Sequence, residues 1–74
     1  MLKEITSVEE MAALKSGTYV LNKFRIPGSY WKETTFRLRI NDRIPYLLGH
    51  YGTYHRIRET DFSDDDRYFV EVPE

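Results

Sequence analysis

From Thr18 to Val72 the chain alternates apolar and polar residues in short stretches, and turn-forming residues stop each stretch before it exceeds strand length. In "TTFRLRI" (34–40), Phe36, Leu38 and Ile40 share one parity while Arg37 and Arg39 share the other. Tyr68, Val70 and Val72 repeat the pattern near the end. Pro27-Gly28, Asn41-Asp42-Arg43, Gly49 to Gly52 and the polar run Thr60 to Asp66 punctuate it. A period of two lines up one side of a strand and scatters around a helix, so most of this chain is committed to antiparallel sheet.

Alternation and the turn residues together predict five strands: 18–26, 34–40, 44–48, 53–59 and a last one through Tyr68, Val70 and Val72, which Pro73 stops. Pro45 places the third at a strand start or a sheet edge. Tyr19, Val20 and Leu21 are apolar on both parities, which predicts cover on both faces there. Ahead of the strands, Thr6-x-x-Glu9 and Ser7-x-x-Glu10 are overlapping capping boxes, and Val8, Met11, Ala12 and Leu14 form one apolar stripe. Gly17 is placed to end that helix. A helix of roughly nine residues does not persist alone, so it must lie on the sheet. The expected fold is α+β: a short N-terminal helix packed on a curved antiparallel meander of four or five strands, residues 1–74 forming a single domain. The alternative is a small SH3-like barrel with an N-terminal helix.

Composition narrows the classes further. With no cysteine there is no disulfide and no thiolate metal site, which fits a cytoplasmic setting. No basic segment followed by an apolar run marks a signal peptide, and no apolar run approaches the roughly 20 residues of a membrane span. The net charge of −1 conceals three blocks. Residues 1–14 carry net −2. Residues 15–58 carry nine cations against Glu33 and Asp42, net +7. Residues 59–74 carry seven anions against Arg67, net −6. A basic body with an acidic tail suits an anionic partner or neutralises itself on folding.

Three basic–apolar–basic triplets lie in that body: Lys23-Phe24-Arg25, Arg37-Leu38-Arg39 and Arg56-Ile57-Arg58. On strands, each sends two cations to one face. Like charges placed opposite each other destabilise a sheet, so such pairs are spread apart, neutralised by carboxylates, or kept for an anionic partner. Tyr30 and Trp31 sit at a loop tip beside Lys32, while Tyr46, Tyr51 and Tyr54 flank the Gly49–Gly52 bend. Cations that track phosphates together with aromatic faces that stack bases are what binds single-stranded nucleic acid. Tyr, Trp and Arg also dominate protein–protein hot spots.

Other chemistries find less support. Asp61, Ser63 and Asp65 fall at calcium-loop positions, but Asp66 stands where glycine is needed and Val72 where a bidentate glutamate is needed. His50 and His55 have no third ligand in sight for zinc. His55 and Glu59 share a strand parity and could act as base and acid in a small ribonuclease, although Arg56 and Arg58 fall on the other parity. There is no phosphate loop, dinucleotide fingerprint or nucleophile elbow, and no cofactor is implied.

The sequence therefore points to a small non-enzymatic binding protein. Its candidate site is Lys23, Arg25, Tyr30, Trp31, Lys32, Arg37, Arg39, Tyr54, Arg56 and Arg58, with nucleic acid or a nucleotide as ligand. The alternative is an inhibitor or adaptor, a phage-type accessory protein that docks on an acidic protein surface. No membrane partner is expected, and the expected state is a monomer or a weak homodimer.

Overall fold

The computed structural model describes residues 1–49 and 51–73. Among them the elements run β1 (Leu2–Ile5), α1 (Val8–Ala12), β2 (Tyr19–Phe24), β3 (Lys32–Asn41), β4 (Ile44–Leu48), β5 (Tyr54–Arg56) and β6 (Asp66–Glu71). A 3-10 turn at Glu59–Asp61 lies between the last two. The strands form one open sheet in the order β1-β6-β2-β3-β4-β5, with every neighbouring pair antiparallel.

This corrects the expected helix on a four- or five-stranded meander, and its barrel alternative. The molecule is a six-stranded open sheet with one very short helix. Leu2–Ile5 is a strand rather than a lead-in to the helix; four residues are too few for their alternation to stand out. The last strand inserts between β1 and β2 instead of lying beside β5. Burial explains the insertion. Val20 is fully buried and faces Phe36 on one side and Val70 on the other. A meander would leave that apolar strand at an edge. The edges fall instead to β1 and β5, the two shortest strands, which carry Lys3 and Arg56 and so discourage pairing with other chains.

The helix is also shorter than its stripe suggests. Ser7 caps it, its hydroxyl accepting from the Glu10 N–H at 3.1 Å. The Glu10 carboxylate accepts from the Thr6 hydroxyl (2.7 Å), joining the two predicted capping boxes into one arrangement. Ala13 ends the helix in a right-handed conformation. Gly17, at φ +96°, makes the turn into β2 and donates its N–H to the Leu38 carbonyl (2.6 Å).

One face of the sheet is covered. Val20, Leu38, Leu47, Tyr68 and Val70 meet Met11 from α1 and Ile57 from the segment that carries the chain from the β5 edge back to β6. Phe62 packs on the same core, edge-on to Tyr68 with ring centres 5.2 Å apart. Burial, with Asp66 and Asp61 nearby, pushes the Tyr68 phenol well above its ordinary range. The expected cover on both faces at Tyr19–Leu21 is not found: Tyr19 is exposed. Leu21 is half-buried on the outer face, where its cross-strand neighbour is Phe69. Its apolar character is met within the sheet, so no second layer is required.

Turn geometry sets the registers. Asp42 (φ 52°) and Arg43 (φ 63°) make a two-residue turn with the positive φ pair of type I′, which pins β3 to β4. Pro27-Gly28, with Gly28 at φ +85° and a Ser29 N–H to Ile26 carbonyl bond of 2.8 Å, fits a type II turn. Pro45 is second in β4, near the strand start as expected, although β4 is an interior strand. Its carbonyl accepts from Ile57 at 3.0 Å, and the β4–β5 register runs out there, where a missing donor costs least.

Candidate functional site

The uncovered outer face carries the charged residues. The β3–β4 and β4–β5 registers place its side chains in two rows. One row is Arg37, Leu48, Tyr54, which Tyr19 extends onto β2 opposite Arg37. The second row is Arg39, Tyr46, Arg56. Neighbouring strands lie about 4.8 Å apart, and residues two apart on a strand about 7 Å. Arg37 and Arg39 are thus about 7 Å apart along β3 at the backbone, and Arg56 is about 10 Å away across the tyrosine of its row.

No carboxylate of the described residues lies within ion-pair distance of Arg37, Arg39 or Arg56. Arg39 engages Tyr54 instead. Its Nη1 donates to the Tyr54 hydroxyl at 3.0 Å, and its guanidinium carbon lies 5.4 Å from the ring centre. A groove of about 450 Å³ runs beside this pair, walled by Ser16, Gly17, Arg37 and Leu48. A smaller one of about 270 Å³ lies on its far side, between Asn41 and Tyr46. The Gly17 turn forms the wall: a Cβ built there would come 3.9 Å from Arg37 Nη2. The Ser16 hydroxyl accepts from the Ile40 N–H at 3.1 Å and holds the wall to β3.

The same face looks different at its other end. Arg67 on β6 makes two bonds to the Glu4 carboxylate on β1, at 2.7 and 2.9 Å, and these hold the Glu4 carboxyl below its ordinary range. Lys23 Nζ lies 3.7 Å from Glu33 and 5.3 Å from the Phe69 ring centre. Arg25, just past β2, pairs with Asp65 at 2.6 Å while its guanidinium sits 4.5 Å from the Trp31 ring centre. Lys32 begins β3, and Tyr30 is almost wholly exposed in the preceding loop.

The ten sequence-derived site residues therefore fall into groups. Arg37, Arg39, Tyr54 and Arg56 come together on β3–β5. Lys23, Arg25, Tyr30, Trp31 and Lys32 lie around the β2–β3 connection, where the first two cations have acidic partners. Arg58 has left the sheet, and its N–H donates to Asp61 Oδ2 at 2.7 Å, opening the 3-10 turn. Tyr19, Tyr46 and Leu48 complete the rows and were not among the ten. The two-residue Asp42-Arg43 turn is the signal that finds two of them, because it sets Arg37 opposite Leu48 and Arg39 opposite Tyr46.

The acidic stretch is occupied structurally. Asp65 binds Arg25, Asp66 accepts from Asn22 Nδ2 at 2.6 Å, and Asp61 closes the 3-10 turn. The carboxylate within reach of His55 is that of Asp61 (3.5 Å), while Glu59 Oε1 accepts the Val8 N–H at 3.0 Å. His50 lies outside the described residues. Among the described residues no three His, Asp or Glu side chains are grouped to hold a metal ion, and no helix is long and apolar enough to cross a membrane.

No family model, no curated protein and no solved structure matches the chain.

Proposed function

We propose that this protein is a binding protein whose outer face on β3, β4 and β5 engages a polyanion, with nucleic acid as the favoured class. One observation carries the reading. Three arginines, two on β3 and one on β5, share one uncovered face, interleaved with tyrosines, and no carboxylate of the described residues is within ion-pair reach. Unpaired like charges cost stability when held together, so a face that keeps them has a use for positive potential. The adaptor reading draws instead on the Trp31 end, where Lys23, Arg25 and Arg67 are already paired with acids and offer less net attraction to an acidic surface.

The test is binding of fluorescein-labelled oligouridylate at low salt, followed by anisotropy, for the natural protein and Arg39→Glu. Binding to the natural chain and its loss in the variant supports the reading. Equal anisotropy in the two proteins contradicts it.

A further inference from the structure

We infer that the ligand of this face is single-stranded rather than double-stranded nucleic acid, with Tyr54 as a base-stacking residue; the inference rests on the polyanion reading above. Three features argue for it. The first is the mixture within the rows. A duplex keeps its bases stacked inside and presents phosphates and groove edges, which would leave the rings of Tyr46 and Tyr54 with no base face to meet. An unpaired strand offers both phosphates and base faces.

The second is shape. Two hollows, of about 450 and 270 Å³, share the Arg39–Tyr54 pair as their common border. The larger is in the size range of pockets that receive a small ligand, about 300–1,000 Å³. Two adjoining hollows divided by an arginine and a tyrosine suit successive nucleotides, a base entering each and a phosphate near the divider. The step of about 7 Å between Arg37 and Arg39 along β3 is comparable with the phosphate spacing of an extended strand.

The third is preorganisation. Tyr54 is half-exposed on the edge strand β5, where an aromatic side chain would otherwise turn freely. The Arg39 hydrogen bond to its hydroxyl ties the ring down at its far end. A ring already held loses less freedom when a base stacks on it. The registers place Tyr46 in the adjacent row, between Arg39 and Arg56.

The experiment compares four labelled probes of matched charge at low salt: oligouridylate, oligoadenylate, a duplex and inorganic polyphosphate. Each is titrated into the natural protein, Tyr54→Ala, Tyr54→Leu and Tyr54→Phe. The expected result is that both single strands bind at least tenfold more tightly than the duplex or polyphosphate. Tyr54→Ala and Tyr54→Leu should each lose about tenfold on the single strands, the scale of one base–aromatic stack. Tyr54→Phe keeps the ring and loses only its tether, so it should weaken binding about two- to threefold. Equal affinity for all four probes, unmoved by Tyr54→Ala, would overturn the inference and leave the polyanion reading standing. Failure of every probe to bind removes both, and selective capture of acidic polypeptide by the same arginines would do so in favour of a protein partner.

Discussion

The two ends of the outer face are built from the same residue types and differ in what answers each cation. At one end, arginine and lysine pair with glutamate on the adjacent strand: Arg67 on β6 with Glu4 on β1, and Lys23 on β2 with Glu33 at the start of β3. On β3, β4 and β5, Arg37, Arg39 and Arg56 face leucine and tyrosine. The first end spends its charge on holding strands together. The second leaves it available. A basic triplet in the sequence is therefore not a site in itself; what stands opposite it decides.

The largest effect should come from emptying the second end. Arg37→Ala/Arg39→Ala/Arg56→Ala should cut oligouridylate affinity by about a hundredfold or more at low salt. It should also flatten the plot of log K against log salt by about 2, three phosphate contacts at roughly 0.7 each. Its thermal stability should stay within about 0.5 kcal/mol of the natural chain, since exposed side chains away from the core contribute little. A large loss of stability would mean that these arginines are structural and that the two ends do not differ in kind.

Asn22→Ala is the converse. Asn22 is buried on the inner face of β2, donating to Asp66 and to the Arg67 carbonyl (3.0 Å). Removing it strands both acceptors and should cost about 1–3 kcal/mol in denaturant unfolding, with affinity for nucleic acid unchanged in whatever fraction remains folded.

Glu4→Gln should have a smaller effect, visible mainly in its pH dependence. The Glu4 carboxyl is held below its ordinary range by Arg67. Its contribution to stability is thus present above the unfolded-state value, near 4.3, and is lost as pH falls through the lower folded value. The variant should be slightly less stable at neutral pH and should lose less stability on acidification. Identical acid limbs in the two proteins would remove Glu4 as an interaction that holds β1 to β6.

Arg43→Gly should be the smallest and of opposite sign. Arg43 sits at φ 63° in the β3–β4 turn, a conformation glycine adopts without steric cost. Part of that relief is offset by the freer unfolded chain, leaving a gain of about 0.5 kcal/mol in denaturant unfolding. Because glycine keeps the turn, and with it the β3–β4 register of the candidate site, affinity should be unchanged.

The strands with strong alternation were legible. Residues 34–40 and the segment through Tyr68 and Val70 are strands where expected, because one face is buried and the period of two shows, and 44–48 is one because the Asp42-Arg43 turn and the Gly49–Gly52 bend bound it. What was not legible is how the chain crosses the sheet. β1 is four residues long, and nothing local says that β6 will lie between it and β2. That choice is made by Val20 and Val70 burying each other across fifty residues of sequence. The fourth expected strand, 53–59, keeps only Tyr54–Arg56, because Ile57 drops into the core and the chain turns at Glu59. The arginines of the candidate site were visible as triplets. Their separation from Lys23 and Arg25 was not, since it depends on which strand brings a carboxylate alongside.

The most direct measurement follows backbone amide shifts of the isotope-labelled protein as oligouridylate is added at low salt. The perturbations should cluster at Tyr19, Arg37 to Arg39, Tyr46 to Leu48 and Tyr54 to Arg56, and leave Lys23 to Glu33 and Arg67 to Glu71 unmoved. Shifts centred on Trp31 and Arg67, or no shifts at all, would contradict the assignment of binding to the end of the face whose arginines have no acidic partner among the described residues.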